Sequence, residues 1–159
     1  MTLEIRFAER ADVPLILRLI KALSVYEKLE DKVVATEEKV DRALFGARPY
    51  AETLIAVKDG QPVGFALFFH NFSTFLAQPG IYLEDLFVEP EHRGKGIGRA
   101  LLARLAQVAV ERDCGRLEWA VLDWNKDAIG FYERLGATPN DEWTVYRLAG
   151  EPLRSLAGK

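Results

Sequence analysis

The sequence has one cysteine, Cys114, two histidines, His70 and His92, and no long apolar run. A single cysteine excludes an internal disulfide and a cysteine-rich zinc site, and it is compatible with a reducing cytoplasm. The two histidines lie apart in the chain, so we expect no metal site. The longest apolar run, Val63–Phe69, is too short to cross a bilayer, and the charged first residues do not resemble a signal peptide. These features predict a cytoplasmic protein without a membrane partner.

A basic surface for nucleic acid is also missing. The chain has 21 lysines and arginines against 24 aspartates and glutamates, which gives a net charge of −3. This balance argues against a nucleic-acid partner and favours a small cationic one. With 159 residues, the chain has the length of one domain, and we predict a single domain over 1–159.

Turn and capping residues mark the ends of several predicted elements. Asp12 and Thr36 are the predicted N-caps of two helices near the start of the chain, and Asn125 is that of a short later helix. Asp59-Gly60 lies between two apolar runs, which is a strong hairpin signal.

Two further strands complete the predicted order βααβββαβαβ, and a last helical turn follows it. The strands are RLEWAVL at 116–122 and TVYRL at 144–148, and the helical turn covers 151–157. Because strands and helices alternate in the second half, the predicted fold class is α/β with a mixed sheet.

The segment from Arg93 to Gly98, RGKGIG, separates a predicted strand from a predicted helix. A dinucleotide-binding fingerprint fails here because Arg99 stands where the third glycine is needed. A Walker loop fails because Gly96 follows Lys95. Two interpretations remain: a glycine turn that binds nothing, and a backbone N–H site for phosphate at a helix N-terminus.

The spacing R-x-x-G-x-G resembles the cofactor loop of the GNAT superfamily of N-acetyltransferases. "YLEDLFV", "WN" followed by "FYERLGA", and the N-terminal "IRFAERADVPLILRLIKALSVYE" are similar to its spermidine/spermine (diamine) N-acetyltransferase branch. The resemblance covers nearly the whole chain. It implies a mixed, mostly antiparallel central sheet, flanked by helices and splayed between two central strands. It also implies acetyl-CoA as co-substrate, without a metal, and a homodimer.

In that family, acetyl-CoA binds at the end of a strand, at the glycine loop and along a later helix. A bulge in the strand lets a backbone N–H polarise the acetyl carbonyl. The positions that the resemblance assigns to this contact are Leu86, Phe87, Val88, Arg93, Gly94, Lys95, Gly96, Ile97, Gly98, Arg99, Asn125, Lys126, Asp127, Ala128 and Tyr132.

Acetyl transfer to an amine needs a neutral amine, a polarised thioester carbonyl and a proton for the leaving thiolate. Tyr132 carries an O–H donor suited to the last of these steps. The resemblance makes it the general acid. The alternative is a core aromatic beside Phe131.

Glu84 and Asp85 interrupt an apolar strand. Adjacent strand residues face opposite sides of a sheet, so at least one of these carboxylates is predicted to face a cleft or the core. Such a carboxylate needs a structural partner or a cationic ligand. The resemblance implies that Glu84 is the base, acting through water, and that Asp85 anchors the amine.

Three further residues are candidates for the acceptor site. By resemblance, Tyr26 and Glu27 face the acceptor, and by residue type Trp119 forms a wall of the site. The alternatives are a solvated helix end for the first two and packing for the indole. No role is assigned to Glu142, because the chain and the branch differ in length there.

The predicted function is acetyl transfer from acetyl-CoA to a primary amine of a small polyamine-like acceptor. The alternatives are a lysine-analogue side chain or a protein amine as acceptor, and a non-catalytic module that binds acyl-CoA. An acyl-cysteine route through Cys114 lacks a histidine nearby in sequence.

Overall fold

A computed structural model describes residues 2–159, which form ten main helices and strands. Their bounds are β1 Leu3–Phe7, α1 Val13–Tyr26, α2 Glu37–Phe45, β2 Glu52–Lys58, β3 Gln61–Ser73, β4 Gln78–Val88, α3 Ile97–Glu111, β5 Leu117–Trp119, α4 Lys126–Arg134 and α5 Gly150–Leu156. The chain divides into two compact units at Ala120/Val121. The first unit holds the sheet and α1 to α3, and the second holds α4 and α5. The single domain over 1–159 stays a prediction.

The five strands form one sheet in the order β1-β2-β3-β4-β5. Every pair is antiparallel except β4 and β5, which run parallel. Asp59 and Gly60 join β2 to β3 with positive φ angles of 49° and 81°, as a two-residue hairpin turn requires. The hairpin and the mixed, mostly antiparallel sheet are thus confirmed.

Helices cover both faces of the sheet. Leu54, Ile55 and Ala56 are consecutive in β2 and all fully buried, although neighbouring residues of a strand point to opposite faces. Ile55 packs against the first two helices. The helix α3 contacts β1 to β4, so it covers the opposite face.

The sheet opens between β4 and β5. Their pairing ends at Leu83 and Trp119, whereas β4 continues to Val88. Because β5 is the edge strand of the described sheet, the predicted splay between two central strands stays a prediction. The same early end makes β5 shorter than the predicted strand at 116–122, because a strand lasts only as long as its ladder of hydrogen bonds.

The predicted strand at 144–148 is wrong. Residues 137–149 form no helix or strand, and the side chains of Trp143, Val145 and Tyr146 are 75%, 91% and 93% exposed. The β-branched and aromatic sequence suits a strand, but its backbone has no ladder partner here, and strand propensity depends on such a partner.

Asp12 lies at the N-cap position of α1 but makes no side-chain cap bond to that helix. Its carboxylate accepts the N–H of Glu9 at 2.7 Å and pairs with Arg6 at 2.8 Å. This pairing lowers the pKa of Asp12. The carboxylate therefore fixes the preceding turn to β1. Thr36 and Asn125 do cap their helices, as predicted.

Removing the Thr36 cap gives a first test of the fold. Its hydroxyl accepts the N–H of Lys39 at 3.2 Å. We expect Thr36→Ala to lower the free energy of unfolding by about 1 kcal/mol, measured by urea denaturation, and Thr36→Ser to stay close to the parent. Equal stability of the alanine and serine variants would contradict this.

Candidate active site

A β-bulge interrupts β4 at Glu84. Leu67 of β3 pairs with Asp85, and the next residue, Phe68, pairs with Leu83. Glu84 is the extra residue between them and has no cross-strand partner in this register. A bulge bends the strand and redirects its side chains. The predicted strict alternation of Glu84 and Asp85 across the sheet therefore does not apply at this point.

The bulge determines which face Asp85 occupies. Cross-strand partners share a face, so Asp85 lies on the side of Leu67, and Phe87 on the side of Phe65. These three apolar residues pack with the cluster that α1 forms through Leu19 and Leu23. Without the extra residue, Asp85 would follow Leu83 and Ile81 onto the opposite face.

Asp85 is half-buried, whereas Glu84 is exposed. Burial, together with the nearby charges of Glu84 and Glu27, raises the pKa of Asp85 to about 7. Glu27 follows α1 and is half-buried, and burial also raises its pKa. The structure therefore brings three of the predicted acceptor residues, from two distant parts of the chain, into one acidic cluster: Glu27, Glu84 and Asp85.

Beyond Leu83, β4 has one edge that β5 does not pair. The positions Leu86, Phe87 and Val88 lie on this stretch. Phe87 is only 4% exposed, so its side chain belongs to the core and only its backbone can contact a ligand. The bulge lies at Glu84, before the three positions at which the family resemblance implied it.

The glycine loop connects β4 to α3. Gly94 and Gly96 have φ angles of 75° and 83°, the left-handed region that favours glycine, and Gly96 is the N-cap of α3. The first helical bond runs from Ala100 N–H to the Gly96 carbonyl, so the earlier N–H groups of the helix have no carbonyl within it. A Cβ at Gly94 or Gly96 would meet no heavy atom within 4 Å. This open, N–H-rich end fits a phosphate group.

Arg93 does more than add charge to the loop. Its Nε donates to the Val88 carbonyl at 2.7 Å, so the side chain folds back on the end of β4. Its guanidinium carbon lies 4.5 Å from the centre of the Tyr26 ring and 5.2 Å from that of Phe87. Arg93 thereby connects the glycine loop to Tyr26 at the end of α1. No spacing in the sequence indicated this contact.

The second unit presents the remaining predicted residues on α4. Asn125 is buried, and its Oδ1 accepts the N–H of Ala128 at 3.3 Å. Lys126 and Asp127 are exposed. Tyr132 is half-buried, with its ring centre 5.5 Å from that of Phe131. In the first unit, Trp119 is half-buried and pairs with Leu83.

The weaker candidates take other positions. Burial raises the pKa of the Cys114 thiol, which disfavours the reactive thiolate. The His70 Nε2 lies 3.4 Å from Arg112 Nη1. Glu142 is exposed, in the segment without helix or strand. Among residues 2–159, no helix is long and apolar enough to span a membrane.

A group of three possible metal-ligand side chains, not predicted from the sequence, lies just before the glycine loop. Ligand atoms of Glu89, Glu91 and His92 lie within 4.8 Å of one another. Glu89 already forms an ion pair with Arg18. The sequence signal was the short spacing E-x-E-H, which is common on surfaces without a metal.

Comparison with known proteins gives one consistent result. Residues 20–137 match the sequence model of the acetyltransferase (GNAT) family. The chain is 42% identical over 166 residues to a thialysine N-epsilon-acetyltransferase from Bos taurus, covering 98% of this chain and 97% of that protein. It is 35% identical to a spermidine/spermine N(1)-acetyltransferase-like protein 1 from Homo sapiens, covering 97% of this chain and 24% of that protein.

A solved structure shows the same fold. The integron cassette protein from the mobile metagenome of V. cholerae superposes with a TM-score of 0.83 at 30% identity. The match covers 100% of this chain and 99% of that one. The predicted fold class is confirmed.

Proposed function

Because the chain belongs to the acetyltransferase (GNAT) family, we propose that it moves an acetyl group from acetyl-CoA to a primary amine of a small cationic acceptor. The predicted family and the enzyme class are confirmed: the protein is an N-acetyltransferase. The acceptor, the residues of the site and the use of acetyl-CoA by this chain belong to the proposal.

The acidic cluster of Glu27, Glu84 and Asp85 is the main observation that supports a cationic acceptor. Burial, and then the like charges of Glu84 and Glu27, raise the pKa of Asp85, so ionising all three carboxylates together is unfavourable. A bound cation would relieve this repulsion, whereas a neutral or anionic acceptor would not. Tyr26 lies next to Glu27 at the end of α1, which supports its place in the same acceptor site.

For acetyl-CoA, the support comes from the open edge of β4 and the glycine loop. The backbone of Leu86–Val88 offers an unpaired strand edge to the amide groups of the pantetheine arm. The loop from Arg93 to Arg99 offers N–H groups and positive charge to the pyrophosphate. We assign Asn125 to Ala128 and Tyr132 to the same co-substrate on the family resemblance.

The reaction consists of one bond exchange. The amine nitrogen forms a bond to the thioester carbonyl carbon, and the bond from that carbon to sulfur breaks. A cationic acceptor first loses one proton to a carboxylate, which passes it on to water. The nitrogen loses a second proton as the amide forms, and this proton restores the phenol of Tyr132 after it has protonated the thiolate. The leaving thiolate gains one proton, for which we propose the phenol of Tyr132 as donor.

The two sequence relatives indicate two acceptor classes. The Bos taurus relative is named for thialysine, and the Homo sapiens relative for spermidine and spermine. Both classes of compound present a primary amine with additional positive charge, which agrees with the acidic cluster. We also propose that the protein is a cytoplasmic homodimer that needs no metal and binds neither a membrane nor nucleic acid. The net charge of −3 supports the absence of a nucleic-acid partner.

A turnover screen tests this function. We expect thialysine-type amino acids, diamines and polyamines to be acetylated with a much higher kcat/KM than a neutral hydroxylamine or an anionic amino sugar. Added salt should raise the KM of the acceptor more than that of acetyl-CoA, because screening weakens long-range attraction. A best substrate without positive charge near its amine would contradict the acceptor class. Binding of acetyl-CoA without turnover of any amine would favour the non-catalytic module.

A further inference from the structure

We propose that Arg93 is a positioning residue, which couples the binding of acetyl-CoA at the glycine loop to the binding of the acceptor beside Tyr26. This inference rests on the proposed function and concerns the link between its two substrate sites. The family resemblance assigned Arg93 to acetyl-CoA alone. In the structure, its side chain instead reaches the end of α1, where we place part of the acceptor site.

The backbone of Arg93 closes a turn just before the loop glycines. Its N–H donates to the Pro90 carbonyl at 3.2 Å, so this N–H already has an acceptor within the protein. The donors for a phosphate group therefore come after Arg93, where two glycines adopt φ angles of 75° and 83°. Lys95 and Arg99 are exposed and supply positive charge to the same segment. The loop can thus bind a pyrophosphate without the Arg93 side chain.

The side chain of Arg93 is held by the end of β4 and by two aromatic rings. Its Nε donates to the carbonyl of Val88, the last residue of β4, at 2.7 Å. The guanidinium carbon lies 4.5 Å from the ring centre of Tyr26 and 5.2 Å from that of Phe87. Both distances are within the range in which a cation is attracted to an aromatic face. Tyr26 is also the last residue of α1, where a positive charge complements the helix dipole.

A second contact fixes α1 farther from its end. Arg18 forms an ion pair with Glu89, whose N–H donates to the Val63 carbonyl of β3 at 2.9 Å. The middle of α1 is thereby attached to the sheet, whereas its last residue meets a side chain that belongs to the glycine loop. A displacement of the loop therefore acts on the end of α1 through Arg93, and the ion pair limits its effect on the rest of the helix.

This arrangement gives the two substrates a shared contact. Pyrophosphate bound to the loop N–H groups fixes the position of the loop, and Arg93 then fixes the ring of Tyr26. The next residue, Glu27, belongs to the acidic cluster, so the acceptor meets a better ordered site once the loop is occupied. Coupling of binding free energies is reciprocal, so a bound acceptor strengthens the binding of acetyl-CoA by the same factor.

Calorimetry on the intact protein tests this coupling. Spermidine and thialysine are titrated without and with saturating CoA, which occupies the loop but carries no acetyl group to transfer. We expect CoA to lower the Kd of the acceptor at least about fivefold in the parent, the lower end of typical coupling between sites. Arg93→Lys keeps the charge but loses the planar guanidinium and the Nε donor. It should reduce the coupling factor to less than about twofold and leave the Kd of CoA alone close to the parent value.

Arg48→Lys is the matched control. Arg48 is also exposed, and its guanidinium carbon lies 5.9 Å from the ring centre of Tyr50. This variant should keep the coupling factor of the parent. Tyr26→Leu should lose the coupling as Arg93→Lys does. The double variant should lose no more than either single variant, because both substitutions remove the same contact.

Two results would overturn the coupling and leave the proposed function intact, provided that the parent acetylates amines. In the first, Arg93→Lys weakens the binding of CoA and keeps the parent coupling factor, which would make Arg93 a phosphate ligand only. In the second, CoA leaves the acceptor Kd of the parent unchanged. Absence of turnover with every amine in the screen would instead contradict the proposed function, and the coupling would fail with it.

Discussion

Replacing Tyr132 by phenylalanine should lower kcat by about 10²–10⁴, with little change in the affinity for acetyl-CoA. The ring and its contact with Phe131 remain, so the packing of α4 is preserved, and only the O–H donor is lost. Without a proton donor for the leaving thiolate, cleavage of the carbon–sulfur bond becomes slower, which affects kcat rather than ground-state binding. Steady-state kinetics at saturating acceptor, together with calorimetric binding of acetyl-CoA, measure the two quantities separately.

Tyr146 provides a matched control for this substitution. It belongs to the same unit and is 93% exposed. We expect Tyr146→Phe to keep the parent kcat. If Tyr132→Phe turns over as fast as Tyr146→Phe across the pH range, Tyr132 is not the donor. Water would then have to protonate the thiolate.

Replacing Gly96 by valine should raise the KM of acetyl-CoA at least about tenfold, which corresponds to roughly 1.4 kcal/mol. With a φ of 83°, this position is strained for any L side chain, and most of all for a β-branched one. The new Cβ would meet no protein atom within 4 Å. The effect would therefore come from a displaced N-cap of α3 and from the side chain beside the N–H groups that we assign to the pyrophosphate.

Gly60 is the control, because its φ is 81° and a Cβ there also meets no heavy atom within 4 Å. It lies in the hairpin turn between β2 and β3. Gly60→Val should lower the free energy of unfolding to a similar extent and leave the KM of acetyl-CoA close to the parent value. A KM that rises equally in both variants would indicate a general loss of structure. An unchanged KM in a folded Gly96→Val would remove the loop from the co-substrate site.

Most of the fold could be predicted from local signals. Thr36 and Asn125 indicate where their helices begin, because each side chain accepts a hydrogen bond from the backbone N–H three residues later. Asp59-Gly60 indicates a hairpin, because these residue types adopt the positive φ angles that the turn requires. Where the prediction failed, at 144–148, the local preference for a strand was not matched by a ladder partner.

The residues of the candidate site were predicted from the sequence, but their arrangement in space was not. The sequence by itself determined the family, because the glycine spacing, the paired acids and the Tyr132 segment are each local and together specific. It also determined that an acidic pair would interrupt an apolar strand. Only the tertiary structure decided which acid faces α1, because one extra residue in β4 changes the face of every residue that follows. It likewise decided that burial, Glu84 and the distant Glu27 together raise the pKa of Asp85, and that Arg93 contacts Tyr26. Glu27 and Asp85, like Tyr26 and Arg93, belong to segments nearly sixty or more residues apart, and no local pattern in the sequence records such a proximity.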